Sequence, residues 1–115
     1  MKKTVPFNFF EEGQTIYFDI KRLAELEQVM GIPITSIAAL HSTSAKFCLA
    51  GLRVGLQHHF SSGTSDLFAD KIDECFEKGT TLDQLVVPII QAIYESGVFG
   101  KAKNDNKESV EEKNE

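Results

Sequence analysis

The sequence has no tryptophan, only two cysteines, and no excess of positive charge. It also lacks any apolar run near the roughly 18 residues that a membrane-crossing helix needs. Each absence removes a class of protein. Two cysteines with no C-x-x-C spacing do not make a disulfide scaffold or a zinc site. Cys48 and Cys75 both fall in apolar helical patterns, where a free thiol serves as a small core residue. Twelve basic residues against seventeen acidic ones give a net charge of -5. A nucleic-acid binder normally carries a basic face, and none is visible here. The opening Met1-Lys2-Lys3 imitates a signal-peptide start. Pro6, Asn8, Glu11 and Glu12 follow it in place of an apolar stretch, so a cytoplasmic protein is expected. No G-x-S-x-G, P-loop or G-x-G-x-x-G occurs, and Gly51-x-x-x-Gly55 lies inside a helical pattern.

What is present reads as an α+β domain, mainly α, over residues 1–100. Val5, Phe7 and Phe9 alternate with Pro6 and Asn8. A turn at Glu11-Glu12-Gly13 then leads into Gln14 to Phe18, which together predict an N-terminal β-hairpin. Two strands alone are marginal, so the hairpin must lie on helices. Pro6 has no N–H for a ladder and marks an edge. Asp19 is a helix N-cap, followed by Ile20, Leu23, Ala24, Leu26 and Met30 at helical spacing; Gly31 and Pro33 end that helix. A short helix can run through Ile37, Ala38 and Leu40, with Thr35 as its cap. After Ser42-Thr43-Ser44, a helix from Ala45 to about His59 is apolar on most of its circumference, which predicts a central, buried position. Gly51 and Gly55 each weaken that helix by roughly 1 kcal/mol relative to Ala. The compensation expected is close approach of a neighbouring helix.

Thr64 or Ser65 caps the next helix, whose apolar stripe is Phe68, Ile72, Cys75 and Phe76. Thr81 with Gln84 forms a capping box for the last helix. Leu82, Leu85, Val86, Ile89, Ile90 and Ile93 supply its apolar face, and Pro88 lies within it. The fold is thus a hairpin on a compact bundle of four to five helices. Leu49, Leu52, Val54, Leu56, Phe68, Ile72, Leu85 and Ile89 are its expected core. Residues 101–115 hold nine charged side chains and, beyond Ala102, one aliphatic residue, Val110. Such a segment cannot bury enough apolar surface to offset its entropy, so a disordered tail is expected.

The candidates for chemistry are few. His58 and His59 are adjacent on a helical pattern and point about 100° apart, so they cannot share one metal ion. His41 adds no ligand spacing. Neither cysteine sits at a helix start, where thiolates are activated. Glu25, Glu27, Asp73 and Glu74 read as solvated helix faces. No catalytic, metal or cofactor site is expected, and an enzyme is the least favoured reading. The hairpin is different, because Phe7, Phe9, Phe10 and Tyr17 crowd into it. They either seal it to the helices or leave an apolar surface for a protein partner.

The order of elements resembles a known family. A short hairpin leads into Tyr17-Phe18-Asp19-Ile20-Lys21-Arg22-Leu23-Ala24-Glu25-Leu26-Glu27, and Met30-Gly31 ends the helix. A central helix carries Ala50-Gly51-Leu52-Arg53 and ends near His58-His59. An acidic helix follows, then a last helix with Gln91-Ala92-Ile93 and Ser96-Gly97. Over residues 14–97 this looks like the tail assembly chaperones of long, non-contractile-tailed phages and gene transfer agents. Gly55 and Pro88 depart from the pattern and bear on helix straightness. The resemblance implies a protein that binds the tape measure protein and helps recruit tail tube proteins. It further implies possible self-association, no membrane and no nucleic acid, residence in the host cytoplasm, and absence from the mature virion. Many such proteins also occur in a longer frameshifted form, whose extension would start near the 101–115 tail. The alternative is a small non-viral helical adaptor or oligomeric structural subunit.

Overall fold

The computed structural model describes residues 3–40, 44–60 and 63–100, with only the backbone for 38–40. The expectations for His41, for the Ser42-Thr43 break and for the 101–115 tail lie outside the described residues. Strands β1 (Val5–Pro6) and β2 (Thr15–Ile16) are antiparallel, with Val5 opposite Ile16 and Pro6 opposite Thr15. Phe7 N–H donates to Gln14 O at 2.8 Å and extends the pairing. The turn is closed by Asn8, whose Oδ1 accepts from Gly13 N–H at 2.7 Å. Gly13 has φ 88°, a left-handed conformation that glycine adopts without a steric penalty.

Five helices follow. They are α1 (Ile20–Met30), α2 (Ile34–Leu40), α3 (Ala45–Gly55), α4 (Ser65–Glu77) and α5 (Leu82–Glu95). The capping chemistry sets most of the starts. Asp19, Ser44, Thr64 and Thr81 each accept from the backbone N–H three residues on. At Thr81 the Gln84 side chain returns the bond, which completes the capping box. Gly31, at φ 78°, ends α1. The start of α2 differs from expectation. It begins at Ile34, one residue before Thr35, and its cap comes from another helix: Glu27 Oε2 accepts from Ile34 N–H at 2.8 Å. Glu27 is therefore a structural link and not a purely solvated side chain.

Helix α3 is central. It packs on α1, α4 and α5, and the hairpin leans on α5 and on the end of α3. Leu52, Val54, Leu56, Phe68, Ile72, Leu85 and Ile89 are buried as expected, and Leu49 is half-buried. The helix stops at Gly55, short of the expected His59, and Gln57–His59 form a 3₁₀ turn. The reason is competition for one carbonyl. Gly55 O accepts from Arg22 Nη1 at 3.0 Å and from Tyr17 N–H at 3.4 Å. His59 N–H turns instead to Leu56 O at 2.9 Å.

The two mid-helix glycines are both close-contact positions, with different neighbours. A Cβ on Gly51 would lie 2.7 Å from Ile89 Cγ2 on α5, so a helix does approach there. A Cβ on Gly55 would lie 2.5 Å from Ile16 Cγ1 and 3.1 Å from Phe18 Cζ. At Gly55 the neighbour is the hairpin strand and the chain just after it, not a helix. Helix α5 runs through Pro88 unbroken, with Pro88 itself buried.

Candidate protein-binding surface

The four aromatic residues singled out in the sequence do not form one surface. Phe7 is 0% exposed and belongs to the core, so a partner cannot reach it in this conformation. The alternation of the hairpin points it inward, against the helices. Phe10 is half-buried; its ring lies 5.2 Å from Phe7, 6.4 Å from Phe60 and 6.2 Å from Phe68. It closes an aromatic cluster that seals the hairpin onto α4. Lys71 lies 5.3 Å from the Phe60 ring centroid and 5.8 Å from that of Phe10. Tyr17 is half-buried, with the Arg22 guanidinium 3.8 Å from its ring centroid and the His58 ring at 4.8 Å. Only Phe9 is exposed, at 37%, and its carbonyl accepts from Cys75 Sγ at 3.5 Å.

A larger apolar surface lies on α5. Val87 is 59% exposed, Ile90 38% and Tyr94 44%. They follow one another at spacings of three and four residues, which places them along one narrow seam of the helix. Ile90 was assigned from the sequence to the buried face, and the structure moves it to the exposed one. The buried face consists of Leu85, Val86, Pro88, Ile89, Ala92 and Ile93. Helix α5 is therefore apolar on two sides, one facing α3 and the hairpin, the other open. Beyond the helix end, the Phe99 ring packs 5.1 Å from that of Tyr94, and Val98 and Phe99 are themselves exposed. Ser96 holds this corner, accepting from Val98 N–H at 3.2 Å and donating to Ile93 O. The seam thus extends from Val87 through Tyr94 to Phe99.

The sequence carried a signal for this face. Val87, Ile90 and Tyr94 lie off the stripe defined by Leu85, Ile89 and Ala92, so more than one side of the helix is apolar. A helix of that kind is either fully enclosed or partnered on its second face. The spacing alone does not distinguish the two.

The two cysteines pack into the core. Cys48 and Cys75 are buried free thiols. Burial, and then Cys75, push the Cys48 thiol up to about 12; burial also raises that of Cys75. Neither supplies thiolate near neutral pH. Among the described residues, no group of three or more His, Cys, Asp or Glu is placed to hold a metal ion. Again among the described residues, no helix is long and apolar enough to cross a membrane. A pocket of about 170 Å³ opens between α3 and α4, lined by Cys48, Leu49, Ile72, Phe76 and Leu82 among others. Phe76 sits at its edge and is exposed, although its sequence stripe assigns it to the core.

Searches among protein families, curated proteins and solved structures find no match to this chain.

Proposed function

We propose that this chain is a non-enzymatic chaperone of phage tail assembly. It keeps the tape measure protein in solution in the host cytoplasm and helps bring tail tube subunits to it. The observation that carries the reading is the open seam of α5, Val87, Ile90 and Tyr94, continued by Phe99. A tape measure protein is long and helical, and its apolar stripes have no partner until the tube closes around it. A chaperone for it needs a narrow apolar strip on which a helix can lie. Spacings of three and four residues along α5 match the seam by which two helices pack. A net charge of -5 helps to keep a protein with such a face soluble.

The test is coexpression with the tape measure protein of the same genome. The parent chain is expected to keep that protein soluble and to co-purify with it. Val87→Asp with Tyr94→Asp replaces two exposed side chains, so the domain should keep its circular dichroism while losing the partner. If the parent neither solubilises nor co-purifies, the chaperone reading fails and a helical adaptor with another partner takes its place. If the double variant still binds, the chaperone role stands and Phe9 becomes the next surface to alter.

A further inference from the structure

The hairpin is fastened to the helical body at one polar junction. Arg22 enters it from α1 and is buried. Its Nη1 donates to Gly55 O at 3.0 Å and to Tyr17 O at 3.5 Å, and stands 3.0 Å from His58 Nδ1. A guanidinium has donors only, so His58 Nδ1 must be the acceptor and carry no proton. The ring proton then sits on Nε2, which faces Thr15 Oγ1 at 3.4 Å. His59 Nε2 accepts from Thr15 N–H at 3.0 Å, so its proton sits on Nδ1. Partner chemistry fixes both tautomers. The two rings lie 4.2 Å apart. His59 Nε2 thus holds strand β2 and His58 Nδ1 holds Arg22, each by accepting a bond at an unprotonated nitrogen.

We propose that His58 and His59 form an acid-sensitive latch, which holds the hairpin on the helices while the His58 ring is neutral and releases it when that ring is protonated. A second proton on His58 removes the acceptor for Arg22 and sets a cation against a buried guanidinium. The groups facing His58 are Arg22 from α1, Thr15 and Tyr17 from β2 and the residue after it, and His59 from its own turn. Glu25 of α1 stands one link away, accepting from Gln57 Nε2 at 3.1 Å. Partial loss of solvent around His58, then His59, then Arg22, lower its pKa from 6.5 to about 4, against a hydrogen bond to the Thr15 backbone. The ring still meets solvent, so protons reach it without unfolding. A depressed imidazole favours the fold fully above pH 6.5 and loses that contribution as the pH falls toward 4. Release bares Val5, Phe7, Ile16 and Phe18, all buried while the hairpin is docked.

The test is amide hydrogen exchange by NMR on the full chain between pH 7.5 and 4.5, corrected for intrinsic rates. In the parent, the amides of Thr15 and Tyr17 should lose protection by about tenfold or more, while those of α3 and α5 keep theirs. The variant His58→Asn with His59→Gln places carbonyl oxygens where Nδ1 and Nε2 stood, and these do not titrate. Its hairpin protection should be the same at both ends of the range. His58→Asn alone should shift the opening to lower pH. The latch is refuted if the parent hairpin stays protected at pH 4.5, or if hairpin and helices open together. It is equally refuted if the substituted chains, single or double, open at the parent's pH.

Discussion

Gly51 of α3 meets Ile89 of α5 so closely that a Cβ on the glycine would lie 2.7 Å from Ile89 Cγ2. The contact joins the two helices that carry most of the fully buried aliphatic residues. Gly51→Leu should therefore destabilise the domain by about 1–3 kcal/mol through overpacking, read as a lower urea midpoint. Gly51→Ala combined with Ile89→Ala should be less destabilised than the sum of the single changes, because the new methyl enters the space that Ile89 leaves. A coupling of about 0.5 kcal/mol or more is expected from the double-mutant cycle. Strict additivity would mean that the two residues do not press on each other.

Gln14 is buried in the hairpin, and its Oε1 has no hydrogen-bond partner among the described residues. A buried acceptor left unpaired costs about 1–3 kcal/mol. Gln14→Met keeps the length of the side chain and removes that oxygen, so the variant should melt at a higher temperature than the parent. A lower melting temperature would reveal that water or another group satisfies the amide.

The two thiols should be inert in the folded chain. With Cys48 raised to about 12 and Cys75 raised as well, both by burial first, neither is ionised at pH 8. A disulfide-exchange reagent should label them only as fast as the protein opens, and at once in denaturant. Rapid labelling of one thiol under native conditions would identify a local opening around α3 or α4.

Glu27 ties α1 to α2 through Ile34 N–H. Charge-assisted bonds to a free helix N–H are among the stronger ones, and losing a cap typically costs about 1 kcal/mol. Glu27→Ala should lower stability by that order and reduce the protection of the α2 amides first. Glu27→Gln should recover part of the loss, since its carbonyl can still accept.

The sequence by itself determined the elements and their order. Asp19, Ser44, Thr64 and the Thr81–Gln84 box mark helix starts because a side-chain oxygen three residues ahead of an N–H is a local event. Gly31 and Gly13 mark a helix end and a turn for an equally local reason, the left-handed backbone. The central place of α3 was legible in its nearly continuous apolar surface. Tertiary structure decided whatever depends on a distant partner. The end of α3 is set by Arg22 and Tyr17 competing for Gly55 O, and no local pattern near residue 55 encodes that competition. The same holds for Glu27, which caps a helix seven residues away. The aromatic hairpin was visible, yet which rings turn inward was settled by packing: Phe7 into the core, Phe10 against Phe60 and Phe68, and Phe9 outward. The two-sided apolarity of α5 was likewise in the sequence. Which side stays open followed only once α3 and the hairpin had covered the other, because burial is a property of neighbours and not of spacing.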